Sequence, residues 1–342
     1  MSADPYRLLR AGEVMLGDWL CVRRGEELII TCDTDTDPTV VRAVFAAAER
    51  LGAKATVSMA ARLPFQGLLA DPYIPKVQAE AVKLCDVWVD LTFPYFAGSS
   101  AHDHAMKGGR VRYMLGGDMD AEALDRLFGR VDLDAYFEAQ AAFDALFVPG
   151  RKCRITTPLG SDFGLTIGKR GIAKPRHADR PGMYILPGMA SIPSEIETIK
   201  GKVVVTHAFH EYYAKLPSPV TLEIDGKIRA VAGGGEARAP LERALRRAAG
   251  GGYGSIIHLT HGLHPAARLT GRRFIEDIRA IGVNAVGLGT PFWLPGGGEN
   301  HPDAVLSEQS IWLDGERIVA DGQPVAGSML AQKVEALVPI NP

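Results

Sequence analysis

The hydrophobic pattern divides the chain into two textures. Residues 26–37 run from the apolar block Leu28-Ile29-Ile30 through Thr31-Cys32 to the alternating carboxylates Asp33, Asp35 and Asp37. A short apolar block that ends in polar turn residues predicts a buried strand. Pro38 stands where a helix can begin. From there Val41, Val44, Phe45, Ala48 and Leu51 recur at helical spacing as far as Gly52. Residues 54–59, 87–91 and 110–115 predict three more strands, and residues 78–84 and 121–128 predict helices. Strands that alternate with helices predict an α/β domain with a doubly wound parallel sheet, here over residues 1–150.

After residue 150 the strands become short and close together, at 153–157, 164–167, 202–206 and 220–224. Asp225-Gly226 and Asp314-Gly315 are hairpin signals, because both residue types tolerate the positive φ that such turns need. Leu241, Leu245 and Ala248 share one helical face over residues 240–249, and Gly250-Gly251-Gly252 stops that helix. A further helix is predicted over 274–281 and a strand over 283–288. Residues 151–342 therefore predict a strand-rich α+β domain, which holds most of the chemistry-bearing residues.

Composition narrows the function classes. A chain of 342 residues is long enough for about two domains. With 46% hydrophobic and 23% charged residues its balance is that of an ordinary globular protein. A net charge of −2 gives no basic footprint for nucleic acid or an anionic membrane. Cys21, Cys32, Cys85 and Cys153 form no C-x-x-C pair and sit among apolar neighbours, which predicts buried reduced thiols. The opening Met-Ser-Ala-Asp-Pro-Tyr-Arg lacks an apolar signal core, and no segment approaches the ~20 apolar residues of a spanning helix. A cytoplasmic protein is expected.

The sharpest chemical signal is His301-Pro302-Asp303, which follows Gly296-Gly297-Gly298-Glu299-Asn300. In extended backbone, side chains two apart share a face. One more imidazole would complete two histidines and a carboxylate, a set that binds a divalent metal and leaves positions open. The stretch from Ser255 to Pro265 offers His258, His261 and His264, and spacing alone does not choose among them. Gly287-Leu288-Gly289-Thr290-Pro291 leaves room at a cleft, and the aromatic loop that begins at Phe292 predicts a rim. Asp33, Asp35 and Asp37 read as a polar turn, with one of them capping the helix. His102 and His104 lie in a polar segment after the third strand. There they are either solvated or able to shuttle a proton. Glu195 by itself reads as an ordinary surface glutamate.

The segments 258–265, 287–289 and 296–298 and the His301-x-Asp303 pair resemble the thermophilic-type leucyl aminopeptidase superfamily, in particular its ring-opening 2,5-dihydroxypyridine 5,6-dioxygenase branch. The resemblance extends to the amino-terminal strand-Asp-helix, to residues 157–163 and to Pro193-Ser194-Glu195, and so spans most of the chain. For the dioxygenase branch it implies one non-haem Fe(II) on His258, His301 and Asp303. It further implies a hydroxylated N-heteroaromatic substrate with O2, no organic cofactor and a homo-oligomer. For 2,5-dihydroxypyridine itself the implied product is N-formylmaleamate. His102 or His104 would move the hydroxyl proton, and Glu195 and Thr290 would line the pocket. That branch carries a histidine before Pro193, where this chain has Gly188-Met189-Ala190-Ser191-Ile192.

The alternative is a zinc or cobalt aminopeptidase of the same superfamily, with Glu195 as a ligand or base. Its second glutamate falls on His258 and its strand histidine falls near Ala285, which has no donor.

Overall fold

The computed structural model describes residues 4–170 and 176–339. Its strands, in chain order, are β1 (Glu27–Asp33), β2 (Lys54–Ala60), β3 (Val87–Asp90), β4 (Arg112–Leu115), β5 (Lys152–Thr156), β6 (Asp162–Thr166), β7 (Gly182–Ile185), β8 (Met189–Ser191), β9 (Lys200–Phe209), β10 (Tyr213–Asp225), β11 (Lys227–Gly233), β12 (Ser255–Gly262), β13 (Asn284–Gly289), β14 (Asp303–Leu306), β15 (Ser310–Leu313), β16 (Glu316–Ala320) and β17 (Gln323–Pro324). They fall into two compact units. One holds the chain up to Leu133 and a returning segment that ends at Pro187; the other holds the chain from Asp134 and then Gly188–Val338.

The first unit carries a five-stranded parallel sheet in the order β2-β1-β3-β4-β7. Leu28, Ile29, Ile30 and Cys32 of β1 are all buried, so both faces of the strand are covered, as in parallel sheets with crossover helices. The following helix, Pro38–Arg50, turns Val40, Val41, Val44, Ala47 and Ala48 inward, and the Asp37 carboxylate caps it by accepting the Thr39 N–H. Asp33 is buried and accepts from the amides of Asp35, Thr36 and Phe93 and from the Thr36 hydroxyl. The carboxylate row is therefore the polar turn expected of it: it ties the end of β1 to the segment after β3.

The second unit is built on a twelve-stranded sheet in which every pair is antiparallel, with the main order β17-β16-β15-β5-β6-β9-β14-β13-β12-β8 and with β10 and β11 beyond β9. Gly226 (φ 67°) and the Asp314-Gly315 pair (φ 52° and 88°) make the turns of the two predicted hairpins.

Several elements differ from the sequence reading. His102 and His104 lie on a helix, Ser100–Lys107, whose first turn is capped by the Ser99 hydroxyl. The sequence suggests one boundary at residue 150, whereas β7 returns to pair with β4 and the helix Leu133–Asp144 precedes the second unit's first strand. The predicted helix at 274–281 is the single turn Phe274–Asp277. Among the described residues no helix is long and apolar enough to cross a membrane.

Candidate metal centre

Three neighbouring antiparallel strands build the site. His258 on β12 stands opposite Gly287 on β13, and Gly287 stands opposite Asp303 on β14. Directly opposed residues of antiparallel strands point to the same face, so the three positions form a row. A bulge in β12 between Ile256 and His258 brings His258 into that row. An extra residue in one strand shifts its register by one and turns the next side chain to the other face. Gly287 then leaves the imidazole its space, since a Cβ there would lie 2.2 Å from the His258 ring. Beyond Asp303 the row continues to Phe209 on β9, which is buried and packs on Phe274.

His301 approaches from the loop just before β14, next to Asn300, whose φ is 44°. Its Nδ1–H donates to the carbonyl of Gly298 at 2.7 Å. That bond places the proton on Nδ1 and leaves the Nε2 lone pair as the free donor, the usual arrangement for a metal-binding imidazole. The two Nε2 atoms are 3.4 Å apart. Asp303 Oδ1 lies 3.1 Å from His258 Nε2, and Oδ2 lies 3.6 Å from His301 Nε2. One donor atom from each residue fits within 4.8 Å of the others. Asp303 is 5% exposed, while both imidazoles are partly open to solvent. Burial works to raise the Asp303 pKa, but the two imidazoles outweigh it and hold the carboxyl below its ordinary range. Burial lowers the His301 pKa against the pull of Asp303. A charged carboxylate beside a neutral imidazole is the protonation state that a metal requires. Two nitrogens and one oxygen on one side suit a divalent metal with open positions.

The sequence profile of the 2,5-dihydroxypyridine 5,6-dioxygenases matches residues 19–326. The chain belongs to this family. Its activity class is therefore that of a ring-cleaving dioxygenase. Two solved structures share the fold. The 2,5-dihydroxypyridine dioxygenase from Pseudomonas putida KT2440 is 20% identical, with 96% of this chain and 99% of that chain covered and a TM-score of 0.70. AmpT from Thermus thermophilus is 13% identical, with 94% and 99% covered and a TM-score of 0.64. No curated protein gives a significant match.

Within this dioxygenase the remaining candidate residues separate clearly. His261 is fully buried, stacks on Phe143 with ring centroids 4.9 Å apart, and holds Gln309 Nε2 at 2.7 Å from its Nδ1. It belongs to the core of the second unit and is not part of the cluster. The Thr290 hydroxyl donates to the Ala248 carbonyl at 2.9 Å. Glu195 is exposed, and its backbone amide donates to Thr166. Ala285 lies two residues before Gly287 on β13 and offers no donor.

His102 and His104 lie in the first unit, whereas the whole triad lies in the second. His102 is buried against Trp88 and Tyr113, accepts the Gly98 amide at Nδ1, and has no hydrogen-bond partner at Nε2. His104 is exposed. The sequence reading gave Gly287 a space-making role at a cleft but missed that the space belongs to the His258 imidazole. A glycine inside a strand, which often marks a close approach, was its available signal.

Proposed function

We propose that the chain holds one Fe(II) on His258, His301 and Asp303. In this reading it opens a hydroxylated N-heteroaromatic ring with O2, as in 2,5-dihydroxypyridine cleaved between carbons 5 and 6 to N-formylmaleamate. The observation that carries this reading is the triad itself: two imidazoles and one carboxylate on one side of a sheet, in a chain of this family. Two-histidine, one-carboxylate sites with open positions are the ligand set of non-haem Fe(II) oxygenases. When bound there, Fe(II) would let electron density pass from the ring to O2.

The residues divide the remaining work. Asp303 brings a negative charge that is buried and needs no protonation change to bind the cation. His301 presents Nε2 because Gly298 takes its other proton. Phe292 lies 5.8 Å from the His301 ring and 6.4 Å from the His258 ring, an apolar wall beside the ligands. The hydroxyl proton of the substrate is assigned to His102 or His104 because an imidazole can shuttle a proton, and Glu195 to the wider pocket on the family resemblance. The same resemblance supports a homo-oligomer. The peptidase alternative is disfavoured because Ala285 offers no ligand and Glu195 lies outside the cluster.

The test is anaerobic reconstitution followed by addition of 2,5-dihydroxypyridine and air. The expected result is one Fe(II) per chain and consumption of O2 only when the ring is present. Peptide hydrolysis with two metals per chain would overturn the proposal.

A further inference from the structure

His301 lies outside any strand, yet a metal ligand must hold one orientation. Three hydrogen bonds link it to the end of the helix Arg238–Ala248. The Thr290 hydroxyl donates to the Ala248 carbonyl at 2.9 Å, the Gly298 amide donates to the Thr290 carbonyl at 2.9 Å, and His301 Nδ1–H donates to the Gly298 carbonyl at 2.7 Å. Ala248 is the last residue of its helix, where carbonyls have no partner within the helix. The Thr290 hydroxyl satisfies one of them and anchors the loop in the same contact.

The packing around this chain of bonds points the same way. Gly289 sits between the two ends, since a Cβ there would lie 3.2 Å from the Ala248 Cβ and 3.4 Å from the His301 Cβ. Gly298 has φ 73°, and a Cβ on it would lie 2.4 Å from the Phe292 ring. The loop closes because glycines stand at its tight points. Between them Phe292, Trp293 and Leu294 are 54%, 64% and 48% exposed, so burial contributes little to holding the loop in place. Hydrogen bonds at its base must do most of that holding.

We propose that Thr290 is a positioning residue for the metal ligand His301. Its hydroxyl fixes the base of the 290–298 loop, and the loop's Gly298 carbonyl then holds the His301 ring with Nε2 toward Asp303 and His258. This inference rests on the metal-centre reading and replaces the expectation that Thr290 touches substrate. Partners that orient a ligating histidine are typically worth about 10- to 100-fold in metal affinity. Thr290 acts one bond further away, so the lower end applies.

The experiment compares the unsubstituted chain with Thr290→Val, which removes the hydroxyl at nearly constant volume, and Thr290→Ser, which restores it. Fe(II) affinity is measured anaerobically by chelator competition, far-UV circular dichroism checks the fold, and kcat and KM for the ring are measured on the loaded enzyme. Thr290→Val is expected to bind Fe(II) about 10-fold more weakly with KM for the ring unchanged, and Thr290→Ser to recover most of the loss. Unchanged Fe(II) affinity in Thr290→Val would overturn the proposal, as would a rise in KM alone, which marks a substrate contact. Thr290→Ser as weak as Thr290→Val would also overturn it. Failure of the unsubstituted chain to bind Fe(II) would sink the metal reading and this inference with it.

Discussion

Gly287 stands directly opposite His258 across the β12–β13 pair, and a Cβ on Gly287 would lie 2.2 Å from the His258 imidazole. The imidazole occupies the space that any other residue would fill, which lets His258 reach over the middle strand to Asp303. Gly287→Ala is therefore expected to displace His258 and weaken metal binding by about 10-fold or more, with the secondary structure retained. An anaerobic Fe(II) titration with a circular dichroism control checks this. Unchanged affinity would mean that His258 is not held where the strand register puts it.

His301→Ala and Asp303→Ala remove two of the three proposed ligands outright. Each is expected to abolish metal retention after gel filtration. Metal analysis of the two variants decides the matter, and full occupancy in either would remove that residue from the ligand set.

Asp33 belongs to the fold rather than to the metal. It is 2% exposed and accepts four hydrogen bonds. Asp33→Ala leaves buried donors unpaired, which costs on the order of 3 kcal/mol. Urea denaturation should show that loss while Fe(II) stoichiometry stays at one per chain. A variant with unchanged stability would contradict the structural role, and one with lost metal would point to a ligand.

His261 gives the fold a dependence on pH. Burial pushes its pKa down to about 3. In the unfolded chain a histidine binds its proton near pH 6.5, whereas the native core refuses it until about 3. The unfolded state therefore holds the extra proton across that window, and stability rises with pH through it. The slope from this one group is at most about 1.4 kcal/mol per pH unit. His261→Phe keeps a ring against Phe143 and removes the titration. Denaturation midpoints at several pH values between 4 and 7 should show a flatter profile for the variant. Parallel profiles would show that His261 titrates normally in the folded protein.

Much of the fold was legible because it rests on local patterns. The apolar block of β1, the helical spacing after Pro38 and the two hairpin pairs all became the elements they predict. The return of β7 to the first sheet was not legible, because a parallel pairing between strands seventy residues apart leaves no local mark. The helix that carries His102 and His104 was hidden by its polar composition, although Ser99 is a recognisable cap. At the site, His301-x-Asp303 was visible as spacing. The choice of His258 over His261 was not, because it depends on a bulge after Ile256 that turns one imidazole toward Asp303 and leaves the other in the core.

Isotope labelling decides whether both atoms of O2 enter a ring bond at this centre. The Fe(II)-loaded protein is given 2,5-dihydroxypyridine under 18O2, and the product is weighed by mass spectrometry. Ring cleavage between carbons 5 and 6 is expected to yield N-formylmaleamate with both labelled oxygens, one in the formyl group and one in the new carboxylate. A product with one label or none, or label that enters from 18O-water instead, would contradict dioxygenase chemistry at His258, His301 and Asp303.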